Sequence, residues 1–256
     1  MFKAWIERSA REKDSNIVLT LDLEAVQPSQ LMEKSFTLLK ATAPYVCAVK
    51  INFHLLLPLG LFGGVDKIVD YAHRMDLATI ADCKMSDIGN TNRVVAENYF
   101  KAGFDALTAS SFVGWKEGLE EVFNLSRDKD RGVILIIHLS SKGAEEAFSR
   151  PSFDAKTGEY KPLYDIFTEK AIEWKADGAV VGATIPAVIE RVAKRLGGQV
   201  PIYAPGVMVQ GGSISEAVQM GARYIIAGRG ITAHSDPAAK ANEIRKATRL
   251  LQAAKE

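Results

Sequence analysis

The sequence has only two cysteines, Cys47 and Cys83, too few for a disulfide framework and with no CxxC spacing. A small secreted scaffold stapled by disulfides is therefore excluded, and a reducing compartment is expected. No charge sign dominates: 32 Lys and Arg stand against 31 Asp and Glu, for a formal net charge of +1. That balance argues against a nucleic-acid binder clothed in basic residues, although a local basic pocket would not show in a sum. Long apolar runs are also missing. The longest stretch, His54 to Gly64, is broken by Pro58 and Gly60 and is too short to span a bilayer, so no membrane partner is expected. The opening MFKAWIERSAREKDS is charged throughout and has no apolar core, so it does not read as a signal peptide; a cytoplasmic location is the expectation.

Several chemistries lack their motifs. The sequence has no GxGxxG, no GxxxxGK[ST], no HExxH and no GxSxG. The four histidines, His54, His73, His138 and His234, are scattered and form no metal-ligand spacing. Neither a metal nor an organic cofactor is expected.

What is present is alternation. Short β-branched runs at Ile17–Glu24, Tyr45–Asn52, Ala78–Lys84, Ala106–Ser111, Val133–Ser140, Ala179–Ala183, Ile202–Val207 and Tyr224–Gly228 read as strands. Amphipathic runs at Leu31–Ala41, Val65–His73, Thr91–Ala102, Lys116–Leu125, Leu163–Ala176, Pro186–Leu196, Ser215–Met220 and about Pro237 to Ala254 read as helices between and after them. Eight strands alternating with eight helices in 256 residues predict a (β/α)8 barrel forming one domain over residues 1–256. An open doubly wound sheet is the competing architecture, because periodicity does not report closure. Trp5–Lys13 is expected to form an extra helix covering the barrel floor. Ser141 to Pro162 is an uncommonly long connection on the face where barrel chemistry occurs.

Side chains alternate along a strand, so Asp82 and Lys84 face one way and Cys83 the other. Lys50 ends the preceding strand, Asp22 lies near the end of the first, and Asp87 lies just past Lys84. These five charges are expected at the C-terminal mouth of neighbouring strands, where barrel active sites sit. A single Asp there could cap a helix, and one Lys–Asp pair could be a buried ion pair. Five together resist that account, since barrel interiors otherwise prefer Val, Ile and Leu. Both cysteines are expected to face outward as small core residues. Further on, Ala204-Pro-Gly-Val-Met-Val-Gln-Gly-Gly212 follows the seventh strand and Ala227-Gly-Arg-Gly230 ends the eighth. Glycines let backbone N–H groups approach an anion, and Arg229 offers a bidentate fork for phosphate.

The run Thr79-Ile-Ala-Asp82-Cys-Lys84-Met-Ser-Asp87-Ile88-Gly-Asn-Thr91 resembles the signature of the orotidine 5′-phosphate decarboxylase family. D-x-K-x-x-D alone is a weak signal; Ile88 and Thr91 in register make it specific. The resemblance extends in order through Leu21-Asp22, Val49-Lys50, Ser140, Pro205-Gly206-Val207, Gln210-Gly-Gly212 and Gly228-Arg229, across the whole chain. It implies a homodimeric (β/α)8 barrel that turns orotidine 5′-phosphate into uridine 5′-phosphate in pyrimidine biosynthesis, without metal or organic cofactor.

The resemblance also implies roles. Lys84 protonates C6 of the pyrimidine, and Asp82 lies against the substrate carboxylate. Lys50 and Asp22 hold ribose hydroxyls, completing an array of Lys50, Asp82, Lys84 and Asp87. Asp87, Ile88 and Thr91 reach into the partner's site. Ser140 reads the base edge, with Ser141 as its possible substitute, while Pro205, Val207 and Ile88 wall the reacting bond. Gln210, Gly228 and Arg229 bind the 5′-phosphate. Two rivals remain. Magnesium-dependent sugar-phosphate decarboxylases and aldolases share D-x-K-x-x-D but have an acidic residue where this chain has Lys50. A non-catalytic phosphate-binding barrel would have no use for alternating charges at strand ends.

Overall fold

The computed structural model describes residues 2–24 and 27–253. Eight parallel strands close into a barrel: β1 (Ile17–Thr20), β2 (Ala48–Ile51), β3 (Ala78–Met85), β4 (Ala106–Ser110), β5 (Gly132–His138), β8 (Gly178–Val181), β9 (Ile202–Ala204) and β10 (Tyr224–Ala227). The two strands skipped in that count, β6 (Pro151–Asp154) and β7 (Glu159–Pro162), form a separate antiparallel hairpin. Around the barrel each strand pairs with its neighbours in chain order, and β1 closes on β10 through Ile17–Ile225, Val18–Ile226 and Leu19–Ala227. Closure decides between the two expected architectures: this is the (β/α)8 barrel. It leaves no sheet edge to protect.

The strands are almost wholly buried because both faces are covered, which is why they read as β-branched runs rather than alternating ones. The barrel lumen is filled with side chains; the stacked rings of Tyr203 and Tyr224, 4.6 Å apart, occupy its lower part. Phe2–Glu12 forms the floor helix, with Phe2, Ile6, Ser9 and Ala10 buried. Its Ser9 hydroxyl donates to the carbonyls of Cys47 (2.7 Å) and Asp76 (2.9 Å), just before β2 and β3 begin. The helix therefore lies across the N-terminal ends of the strands, opposite the site.

Helix Pro186–Leu196 matches its expected bounds, and most others agree within a few residues. The last helix runs Pro237–Ala253; the expected end at Ala254 lies outside the described residues. Seven of the eight barrel strands end sooner than expected, β1 and β9 by the most. β1 stops at Thr20 rather than Glu24, and β9 at Ala204 because Pro205 offers no N–H for a further rung. The helix Phe53–Leu59 was not foreseen. The long connection 141–162 is not loop alone: it holds the helix Ala144–Phe148 and the β6–β7 hairpin. Lys161 ties that hairpin down by pairing with both Asp154 and Glu169 at 2.6 Å. Among the described residues no helix is long and apolar enough to cross a membrane.

Candidate active site

β3 is the longest barrel strand, and its last turn departs from regular geometry. Its register against β4 shifts between Ala81 and Met85, and Lys84 sits at φ +46°, in the left-handed region. Non-glycine residues rarely adopt that conformation, and such bulges re-aim side chains near active sites. Here the Lys84 backbone N–H donates to the Thr108 hydroxyl (2.9 Å), which itself donates to Asp82 Oδ1 (3.1 Å). Thr108 thus fixes the backbone of one charge and the side chain of the other.

Asp82 is buried and lies between two ammonium groups. Lys50 Nζ donates to Asp82 Oδ2, and Lys84 Nζ to Oδ1 at 2.9 Å. Burial pushes the Asp82 carboxyl up, but Lys50 and Lys84 together outweigh it and hold the pKa down at about 2. The Asp82 and Lys50 side chains are each 10% exposed, whereas that of Lys84 is 45% exposed. Of the two lysines that flank Asp82, Lys84 is therefore the more accessible to a ligand.

These groups line a cavity of about 250 Å³ at the C-terminal mouth. It holds Asp22, Lys50, Asp82, Lys84, Ser140, Pro205, Val207, Gln210, Gly228 and Arg229, ten of the thirteen expected site residues. Ser140, not Ser141, is the serine that lines it. Its apolar wall includes Ile136, Val180 and Ile226. Close backbone approaches shape the phosphate side. A Cβ on Gly206, at φ +91°, would fall 2.5 Å from the Ser140 Cβ, and one on Gly228 would fall 2.6 Å from Asp22 Oδ2. These glycines let the two C-terminal loops close against the rest of the site.

Three expected residues are elsewhere. Asp87, Ile88 and Thr91 are exposed and do not line this chain's cavity, so the five charges do not all converge within one chain. The reason is local. β3 ends at Met85, and the following loop is gripped by Asn92, whose side chain accepts from the Asp87 N–H (3.0 Å) and donates to its carbonyl. The Asp87 carboxylate accepts from the Ile88 N–H (2.7 Å) instead of turning inward.

Sequence reasoning missed Thr20, Asn52 and Thr108, all in the cavity lining. Thr20 is buried, and among the described residues its hydroxyl has no partner. Asn52 donates to Asp22 Oδ1 at 2.6 Å. Polar residues at strand ends were the available signal. The cysteines are where expected, outside the site: Cys47 is buried and its thiol is pushed up by burial, while burial raises Cys83 to about 12. Neither lines the cavity.

A sequence model of the Orotidine 5'-phosphate decarboxylase / HUMPS family matches residues 15–244. The chain is 32% identical over 225 residues to the orotidine 5′-phosphate decarboxylase of Thermococcus kodakarensis, covering 88% of this chain and 92% of that protein. It is 35% identical over 217 residues to that of Pyrococcus horikoshii, covering 83% and 94%. The solved structure of Leishmania donovani OMP decarboxylase superposes with a TM-score of 0.83 at 24% identity over 98% of each chain, a likeness of fold. With the family match embracing every residue of the charged cluster, the chain belongs to the orotidine 5′-phosphate decarboxylase / HUMPS family.

Proposed function

We propose that this chain is a carboxy-lyase that converts orotidine 5′-phosphate to uridine 5′-phosphate, without metal or organic cofactor, and that Lys84 supplies the proton to C6. The observation that carries the reading is the buried Asp82 carboxylate flanked by Lys50 and the more exposed Lys84 at the cavity mouth. Family membership and the relatives' activity support the substrate.

The C6–carboxylate bond breaks, carbon dioxide leaves, and the electron pair stays on C6. A proton from the Lys84 ammonium then forms the C6–H bond, and the resulting amine regains a proton from solvent. The electron pair sits on an sp2 carbon with little resonance relief, so this reaction demands on the order of 20 kcal/mol of barrier lowering. An ammonium about 4 Å from the developing carbanion offers on the order of 4 kcal/mol at an effective dielectric near 20. That attraction grows as charge localises, so it favours the transition state over the ground state. Asp82, ionised and placed against the substrate carboxylate, adds repulsion that is relieved as carbon dioxide departs. The remainder comes from binding energy at the phosphate and ribose, spent on orientation and water exclusion.

In this reading Gln210, the Gly228 backbone and Arg229 hold the 5′-phosphate, and Asp22 and Lys50 hold ribose hydroxyls. Ser140 reads the base edge, and Pro205 and Val207 wall the reacting bond. Asp87, Ile88 and Thr91 complete the site of the partner subunit in a homodimer. Their exposure outside their own cavity, beside exposed Val94 and Val95, supports that assignment.

The test is incubation with orotidine 5′-phosphate, with and without a chelator, while absorbance and carbon dioxide are followed. Equal turnover in both is expected. Activity lost to the chelator and restored by magnesium would move the chain to the sugar-phosphate branch, against which the Lys50–Asp82 pair argues: it puts an ammonium where that branch has an acidic residue.

A further inference from the structure

Asp22 lies beyond the end of β1, past the last rung of the ladder, in which the Leu21 N–H donates to the Lys50 carbonyl at 3.1 Å. No strand pairing sets the direction of its side chain. Asn52 does, from the residue just after β2. Its Oδ1 accepts from the His54 N–H (2.9 Å) and caps the helix Phe53–Leu59. With the oxygen so engaged, the amide nitrogen faces the other way, and Nδ2 donates to Asp22 Oδ1 at 2.6 Å. The cap therefore decides which end of the amide meets Asp22. One carboxylate oxygen is tied; the other, Oδ2, is directed toward Gly228 across the cavity. A neutral amide holds the carboxylate without cancelling its charge, as a lysine or arginine at this position would.

We propose that Asn52 is the positioning residue for Asp22: it orients that carboxylate so that Oδ2 receives a hydroxyl of the bound nucleotide's sugar. The assignment rests on the reading of the cavity as a nucleoside 5′-phosphate site. Asn52 acts on binding and leaves the Asp82–Lys84 pair untouched.

The experiment uses uridine 5′-phosphate as the probe, titrated calorimetrically into the wild-type protein, Asn52→Ser, Asp22→Ala and the double variant. Serine caps a helix about as well as asparagine, so the fold is kept while the bond to Asp22 is lost. Asn52→Ser is expected to weaken binding about tenfold, the worth of one charge-assisted hydrogen bond. In the Asp22→Ala background the same change is expected to do nothing more. With orotidine 5′-phosphate, kcat/KM is expected to fall by at least a similar factor in Asn52→Ser, and not to fall further when Asn52→Ser is added to Asp22→Ala. Asn52→Asp keeps the cap and the shape but sets a second carboxylate against Asp22, and is expected to bind more weakly than Asn52→Ser. Wild-type affinity in Asn52→Ser or Asn52→Asp, or losses that add in the double variant, would overturn the assignment while leaving the nucleotide site intact. Failure of the wild-type protein to bind uridine 5′-phosphate would overturn the reading of the site and the assignment with it.

Discussion

Lys84 Nζ and Asp82 Oδ1 are held 2.9 Å apart at the end of a strand whose register shifts between Ala81 and Met85, with Lys84 at a positive φ. The arrangement has a cost: a non-glycine residue in the left-handed region carries on the order of 1 kcal/mol of strain. Folding alone gains nothing from it that a regular strand would not provide. The bulge leaves Lys84 exposed while Lys50 stays buried, so Asp82 is neutralised from below and presents a reachable ammonium above.

The first prediction concerns the Asp82 carboxyl. Burial raises its pKa, the two lysines lower it more, and the net is about 2, against an unfolded value near 3.9. The folded chain binds this proton less tightly than the unfolded chain. The stabilisation is therefore fully present above about pH 4 and is lost as the pH falls through about 2. Its size is on the order of 2–3 kcal/mol. A carbon-13 titration of the Asp82 carboxyl is expected to show a midpoint near 2, and Lys50→Met is expected to move it upward. A wild-type midpoint near the ordinary aspartate value would contradict the ion triad.

Arg229 stands just beyond β10 at the cavity rim. Arg229→Ala is expected to weaken binding of uridine 5′-phosphate by about 2 kcal/mol, a charge-assisted pair, and to leave binding of uridine nearly unchanged. Calorimetry of both ligands on both proteins separates the cases. An equal loss for nucleotide and nucleoside would remove Arg229 from the phosphate site.

Asp87 is exposed and outside its own chain's cavity, so each site is expected to combine Lys84 of one chain with Asp87 of the other. Lys84→Ala and Asp87→Ala proteins, each inactive, are mixed in equal amounts and their exchange is verified with mass-tagged subunits. About half the dimers become mixed, and in each of these one site carries both lesions and the other none. Activity is expected to return to about one quarter of wild type by that symmetry. Confirmed exchange with no activity would place Asp87 in its own chain's site.

Much of this was legible before the structure, for physical reasons that differ by residue. Asp82 and Lys84 stood out because charges inside an otherwise apolar strand need a partner or a task. The barrel strands stood out because burial on both faces demands β-branched runs. Sheet closure did not, since periodicity is local and the β1–β10 pairing joins residues more than two hundred apart. The β6–β7 hairpin was hidden because Pro151–Asp154 and Glu159–Pro162 are only four residues each and carry no β-branched run. Asn52 and Thr108 were hidden for another reason. A neutral polar residue at a strand end reads equally well as a cap or a satisfied core group, and only the folded structure shows Asn52 doing one job at each end of its amide. Asp87 was placed among converging charges because its spacing from Lys84 is short, but the Asn92 grip on the loop turns it away.

The central claim is that Lys84 delivers the proton to C6, and the most direct measurement is the turnover of orotidine 5′-phosphate by wild-type and Lys84→Ala proteins side by side, with chelator present. Asp82 keeps Lys50 in the variant, so the barrel is expected to remain folded, as circular dichroism would verify. The wild-type protein is expected to release one carbon dioxide for each uridine 5′-phosphate formed. Lys84→Ala is expected to be slower by more than about a hundredfold, the least that a general acid contributes. A folded Lys84→Ala protein that keeps more than about a hundredth of the wild-type rate would contradict the account.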